Sequence, residues 1–228
     1  NDEFDLTNST TSLREALYYA GSTIGGVPLP TTVTFDPDLG GGICLLSKSL
    51  GTIEIAKTVT IDASNLEDGF VVDGGSAVRV FTLTGSSSEI VIKNLTIQNG
   101  LATVETTGGA LARGGGIYST ALSLTLEDCL VTDNSARASV LALEYGKATA
   151  YGGRIYAEGA LILSNTTVSD NTALASTYTT SAAYRADAYG GGIYAPNLQM
   201  THSIVAGNTA QSISNYTYAI SKGGGIYG

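Results

Sequence analysis

Gly-Gly-Gly-Ile-Tyr stands at 114–118, again at 190–194 and again at 223–227, and residues 152–156 repeat it with Arg154 in the third glycine's place. The closing tyrosines, Tyr118, Tyr156, Tyr194 and Tyr227, are 38, 38 and 33 residues apart. A repeat of that length marks a stack of like units, none of which can bury its apolar face alone. A solenoid built this way offers long faces in place of one enclosed pocket.

A second string lies next to the first. Leu126–Ala136 (LEDCLVTDNSA), Leu163–Ala173 (LSNTTVSDNTA) and Met200–Ala210 (MTHSIVAGNTA) are 37 residues apart, and a weaker copy, IKNLTIQNGLA, covers Ile92–Ala102. Ile97, Val131, Val168 and Val205 align, and Asn99 is read as the counterpart of Asn134, Asn171 and Asn208. Apolar residues alternate inside the copies, as in Leu122, Leu124 and Leu126 or Leu161 and Leu163, among Val, Ile, Thr and Tyr. That is strand chemistry. Gly, Asn, Asp and Ser separate the strands, where corners belong. No helical period separates the repeats, so the expected fold is all-β, a coil with parallel sheets on its sides. Residues in register then lie about 4.8 Å apart up the stack. Asparagines in register either ladder their amides or turn left-handed corners, and both can hold.

Between the strings lie variable inserts: Thr103–Arg113, Arg137–Tyr151, Leu174–Tyr189 and Gln211–Lys222. Insertions at one corner of every coil project from one side. Ser139–Tyr145 and Ser214–Ile220 alternate well enough to be strands, so the inserts are expected to stack into a ledge; the alternative is a set of disordered surface loops. The inserts carry Tyr145, Tyr151, Tyr178, Tyr184, Tyr189, Tyr216 and Tyr218. Tyrosine offers a flat apolar ring with a polar tip, which suits sugars and protein interfaces. These seven are the candidate binding residues, whereas the four motif tyrosines read as a structural stack.

The N-terminal third differs. Ser12 and Glu15 have capping-box spacing, and Leu13, Ala16, Leu17 and Ala20 form one apolar face ended by Gly21. Such a helix covers the open end of a coil and blocks edge pairing. Strands are expected near Thr32–Phe35, Ile43–Leu46, Thr52–Ile55, Val59–Ile61, Phe70–Val72, Val78–Leu83 and Glu89–Ile92. The chain reads as one domain over 1–228, with a cap and entry segment at 1–42, irregular coils at 43–102 and repeats with inserts at 103–228.

Thr11–Leu17 resembles the Cys-Ser-Leu-Arg-Glu-Ala motif of bacterial surface proteins built as right-handed parallel β-helices, with Thr11 in place of the motif's cysteine. Thr34–Pro37 and Val59–Asp62 are similar to that family's entry segment, and the two repeat strings are similar to its coils and to those of chlamydial polymorphic outer membrane proteins. The resemblance covers essentially the whole chain. It implies a right-handed parallel β-helix at the cell surface or outside the cell; the short N-terminal capping helix and the lateral inserts are read from the residues themselves, and inserts of 11 to 16 residues depart from the tighter coils of many relatives. The resemblance implies no catalytic residue.

Composition agrees with a turn-rich exported β-protein: charged residues are 14% and Gly is 29 of 228. The sequence shows no signal peptide and no apolar run long enough to span a membrane, so any leader is expected to have been removed before Asn1. A net charge of −9 argues against nucleic acid and anionic lipid as partners. Cys129 aligns with Leu95, Thr166 and Ser203, and Cys44 is placed about two coils lower, near 10 Å away. That exceeds the span of about 6.8 Å that a disulfide bridges, so two buried free thiols are expected.

Pectin lyases and polygalacturonases share right-handed β-helices, but this chain has no Asp-Asp pair, no Gly-His-Gly and no Arg-x-Lys. His202 aligns with Asn94, Asp128 and Asn165 and reads as a corner. Lys147 and Arg185 align in the inserts with no acidic cluster beside them. The reading is therefore not an enzyme and no cofactor. Asp133 and Asp170, in register, are a carboxylate pair that would suit calcium, and Asp36 and Asp38 flank Pro37 in an expected turn; the plainer reading is a solvated face. Asn8, Asn94, Asn165 and Asn215 begin Asn-x-Ser/Thr, acceptors in a glycosylating host unless the corners claim them. The fourth Ile-Tyr reads as the opening strand of a coil left unclosed. The expected function is structural or adhesive, with partners in the chain itself, through coil ends or inserts, or in glycans and host surfaces. The alternatives are a carbohydrate-active enzyme and a passive stalk.

Overall fold

The computed structural model describes residues 2–3, 11–29, 31–141, 146–178, 184–215 and 218–228. They form a parallel β-solenoid whose body has three six-stranded sheets. Sheet I contains Thr32–Thr34, Val59–Asp62, Glu89–Lys93, Ser123–Glu127, Ala160–Ser164 and Asn197–Thr201. Sheet II contains Ile43–Leu45, Phe70–Asp73, Leu95–Gln98, Leu130–Thr132, Thr167–Ser169 and Ile204–Ala206. Sheet III contains Ile53–Ile55, Phe81–Leu83, Ile117–Ser119, Ile155–Ala157, Ile193–Tyr194 and Ile226–Tyr227. One strand from each sheet makes a coil.

Strand alternation turns every second column of each sheet inward, and one such column per sheet shows the register. Sheet I contributes Val33, Ile61, Ile92, Leu126 and Leu163 in register. Sheet II contributes Cys44, Val72, Ile97, Val131, Val168 and Val205. Sheet III contributes Ile53, Phe81, Ile117, Ile155, Ile193 and Ile226. Most of these side chains are fully buried. Branched aliphatics suit both the pleat and a lumen that three walls must fill.

Leu13–Tyr19 forms helix α1, with both arms of the Ser12–Glu15 capping box made. Leu13, Leu17 and Ala20 bury into the body core, so the helix closes the first coil. Arg14 fastens it there: its guanidinium donates to Gly51 O (2.9 Å) and Thr52 O (2.8 Å), and Nε pairs with Asp2 at 2.9 Å. A hairpin, Thr23–Ile24 with Val27–Pro28, follows around Gly25 and Gly26, both at positive φ.

The inserts do form a ledge. Sheet IV contains Leu101–Thr106, Ser135–Val140, Thr172–Thr177 and Thr209–Ser214; sheet V contains Ala110–Arg113, Gly146–Tyr151, Tyr184–Tyr189 and Tyr218–Lys222. Four coils carry this ledge, and the first two turn from sheet II to sheet III without one.

Several expectations need correction. The ledge strands start at Ser135, Thr172 and Thr209, right after Asn134, Asn171 and Asn208, so the Asn-Ser/Thr-Ala string is the ledge's root. Of the two segments expected as strands, Ser139 and Val140 end the strand Ser135–Val140 while residues 142–145 lie outside the described residues, and Ser214 ends one strand and Tyr218 opens the next, with residues 216–217 outside the described residues. Asn99 pairs one position off the expected register: Gln98 aligns with Thr132, which places Asn99 beside Asp133 and Gly100 beside Asn134. Ile226–Tyr227 is the sixth strand of sheet III, the third of its coil rather than the first. Leu122 is 51% exposed in the turn before its strand.

Candidate functional site: the ledge and its tyrosine corner

The ledge leaves the body between sheets II and III through a narrow neck, and the two recurrent strings are the walls of that neck. One wall is an amide ladder. Asn134 Nδ2 donates to Thr132 O (2.7 Å) and Ile97 O (3.1 Å), and its Oδ1 accepts from Gly100 N (2.7 Å). Asn171 Oδ1 accepts from Asn134 N (2.9 Å), and Asn208 Oδ1 accepts from Asn171 Nδ2 (2.6 Å). Asn134 and Asn171 are each 1% exposed, so these bonds satisfy amides that water does not reach. The left-handed corners fall to other residues: Asn99, Asp133, Asp170 and Gly207 have φ of 51, 58, 60 and 64°.

The opposite wall is the glycine triplet. A Cβ on Gly114, Gly152, Gly190 or Gly223 would lie 2.0 or 2.1 Å from the carbonyl oxygen of the following isoleucine. A Cβ on Gly115, Gly153 or Gly191 would lie 2.3 Å from a backbone atom of the facing wall or the next coil. The third glycine is less constrained, because the nearest atom to a Cβ on Gly116 or Gly192 is an asparagine side-chain carbon at 2.9 or 2.8 Å. That is why Arg154 can stand in this column. Its side chain is completely buried, with Nη1 at 3.4 Å from Ser169 O and no hydrogen-bond partner at Nε or Nη2. Burial presses its ionisation well below the usual guanidinium range.

Beyond the neck, sheets IV and V pack face to face over a second core. Ala136, Ala138, Val140, Ala173 and Ala175 from sheet IV meet Ala110, Ala112, Ala148, Ala150, Ala186 and Ala188 from sheet V, nearly all fully buried. Cα atoms of facing strands approach within 8 Å, closer than the roughly 10 Å of ordinary stacked sheets. Only side chains of this size fit between sheets so close, as in a dry steric zipper. The signal was in the sequence as Ala-x-Ala at 110, 136, 148, 173 and 186, but alanine adds little to a hydropathy pattern.

The outer face of sheet V turns back toward sheet III, and tyrosines fill the corner. Tyr118, Tyr156 and Tyr194 stack in register with centroids 5.5 and 5.0 Å apart, and Tyr227 follows at 5.8 Å. Tyr151 and Tyr189 of sheet V stack at 5.0 Å; Tyr151 meets the first column edge-on, 4.8 Å from Tyr194, and Tyr189 lies tilted 4.9 Å from Tyr227. Arg79 and Arg113 close the corner's lower end, each guanidinium 5.2 Å from a ring, of Tyr118 and Tyr156 respectively. Arg79 also donates to the carbonyls of Arg113 (3.0 Å) and Gly114 (2.8 Å), capping the ledge where the next coil down has no insert. Tyr156 is 7% exposed, and burial pushes its phenol up to about 12.

The candidate tyrosines therefore divide. Tyr151 and Tyr189 belong to the corner stack. Tyr178 and Tyr218 stand at the ledge rim, 51 and 67% exposed, beside Leu141 at 47%. Tyr184 opens its strand, and Tyr145 and Tyr216 lie outside the described residues.

Lys147 and Arg185 are neighbours in sheet V, as aligned, but an acid does join them: Asp187 lies 2.8 Å from Lys147 Nζ and 2.7 Å from Arg185 Nε. Burial raises the Asp187 carboxyl, but the hydrogen bonds and charges of Lys147 and Arg185 outweigh it, leaving the group below the usual carboxylate range. Column reading missed this site because Thr149 and Ile220 occupy the same position in adjacent coils.

His202, Asn94, Asp128 and Asn165 are left-handed corners with φ of 50, 52, 53 and 48°. Asn94 donates to Ala63 O and Leu66 O at 3.0 and 2.9 Å, so a structural duty holds that amide. Cys44 and Cys129 are both buried thiols that form no disulfide. They sit in the first and fourth coils, three apart rather than two. Cys129 does the work of Thr166 and Ser203 in its column, Sγ donating to Glu127 O at 3.2 Å as Thr166 Oγ1 donates to Ser164 O at 2.9 Å. Asp133 and Asp170 share a column, and among the described residues no three His, Cys, Asp or Glu converge on a metal-sized site. No helix of the described residues is long and apolar enough to cross a membrane.

No family model, curated protein or solved structure matches this chain.

Proposed function

We propose that this chain is an extracellular or cell-surface structural module whose ledge makes adhesive or self-associating contacts. The observation that carries the reading is the rim: Leu141, Tyr178 and Tyr218 are exposed along one edge of a two-sheet slab that a dry alanine core holds rigid. Aromatic anchors on a preorganised support lose little entropy on binding. The resemblance of Thr11–Leu17 to a surface-protein motif supports the same location. Partners would be a second copy meeting the ledge, or glycans and cell surfaces.

Sedimentation velocity across a concentration series, with glycan-array and cell-binding assays, tests this. Association or binding should weaken when Tyr178 and Tyr218 are both changed to serine. A chain that stays monomeric at high concentration and binds neither cells nor glycans ends the proposal. Product release from acidic polysaccharides would replace it with an enzymatic reading.

A further inference from the structure

Six tyrosines meet in one corner, and their geometry favours a particular chemistry. We propose that the corner is an oxidative cross-linking site, in which a one-electron oxidant, supplied by a haem peroxidase with hydrogen peroxide, joins Tyr156 to Tyr194 and Tyr151 to Tyr189 as dityrosines within one chain. These are the closest of the stacked pairs, both with centroids 5.0 Å apart and planes 7 and 14° from parallel. The in-register pairing of their strands holds each pair in place.

A phenol sheds its proton as it loses an electron, so a nearby base assists oxidation. Tyr156 Oη donates to Glu158 Oε1 at 3.2 Å, and Glu158 is exposed, placed to pass the proton to water. The edge-on contact of Tyr151 with Tyr194 connects the two columns, so an electron vacancy made at a half-buried ring reaches the others. Two phenoxyl radicals couple through the ring carbons ortho to oxygen, whose π lobes face one another in a stack. A Cε–Cε bond forms, leaving each ring a dienone, and the hydrogen on each coupled Cε moves to that ring's carbonyl oxygen, restoring two phenols. The pair has given up two electrons and two protons, and hydrogen peroxide takes them to become two waters. Each bond ties the fourth coil to the fifth.

The full chain, kept dilute to suppress encounters between molecules, is treated with peroxidase and hydrogen peroxide. It is then run on a denaturing gel and mapped by mass spectrometry. Violet dityrosine emission should appear in the band of a single chain. It should map to peptides lighter by two hydrogens that join Tyr156 with Tyr194 or Tyr151 with Tyr189. Changing Tyr189 and Tyr194 together to phenylalanine keeps the rings but removes the phenoxyls, so most single-chain emission should be lost while the circular-dichroism melt holds. Tyr178→Phe and Tyr218→Phe should leave that emission intact. The proposal is overturned if oxidation yields no cross-link, or if emission is confined to dimers bridged through exposed Tyr18, Tyr178 or Tyr218. Unchanged single-chain emission in the doubly substituted protein also overturns it.

Discussion

The body and the ledge are two cores on one chain that fill space by opposite means. In the body, three sheets enclose a lumen and large branched side chains meet across it, Ile92, Leu126 and Leu163 opposite Ile117 and Ile155. In the ledge, two sheets face each other directly and alanine sets their separation. The glycine and asparagine walls of the neck stand between the cores. The contrast shows that one period can serve two packing regimes, provided the first two residues of each glycine triplet carry no side chain that would hold the walls apart.

The strongest test acts on the neck. Gly153→Ala places a methyl 2.3 Å from Gly191 O and from the Thr172 carbonyl carbon. Backbone on both sides cannot yield, so the loss should exceed about 4 kcal/mol in urea unfolding. Gly108→Ala, whose Cβ meets nothing within 4 Å, should be close to neutral. Equal effects would remove the neck from the account. The next test sets the two cores against each other. Leu163→Ala in the body should cost about 2–5 kcal/mol through the cavity it leaves. In the ledge the damaging change is enlargement: Ala175→Leu should cost about 1–3 kcal/mol or more by forcing the sheets apart. A neutral Ala175→Leu, with Leu163→Ala costly, would mean that the alanines do not set the spacing.

The same contrast explains which parts were legible in the sequence. Ser12 and Glu15 announce their helix because a capping box is local. The body columns were readable because Val131 and Val168 recur at one spacing and are large enough to mark a face. Asn99 was misplaced because it was matched by residue type, whereas the backbone selects by conformation: Asn99, Asp133, Asp170 and Gly207 share a left-handed corner although they share no chemistry. The ledge was foreseen as an insert stack, but its core was not, since alanine carries no amphipathic signal. Splitting the candidate tyrosines between corner and rim also required three dimensions, because strand phase decides whether a ring such as Tyr151 turns back to the body.

The smallest expected effect belongs to the ledge alone and separates it from the body by pH. Asp187 is the fully buried acid on the outer face of sheet V, and Lys147 and Arg185, each about half exposed, hold it ionised. Its carboxyl titrates below the unfolded value of about 3.9. Its contribution is therefore fully present above that pH and is lost as pH falls through the lower folded value. Asp187→Asn keeps the shape and removes the charge. With both cations partly in water, the difference at neutral pH should be about 1 kcal/mol or less. Melting temperatures of the two proteins should differ by a constant amount at neutral pH and converge as pH drops below about 4. The body's inward columns carry no carboxylate, so a body variant such as Leu163→Ala should keep its offset from wild type over the same range. A gap between wild type and Asp187→Asn that persists into acid would assign the residue's role to packing rather than charge.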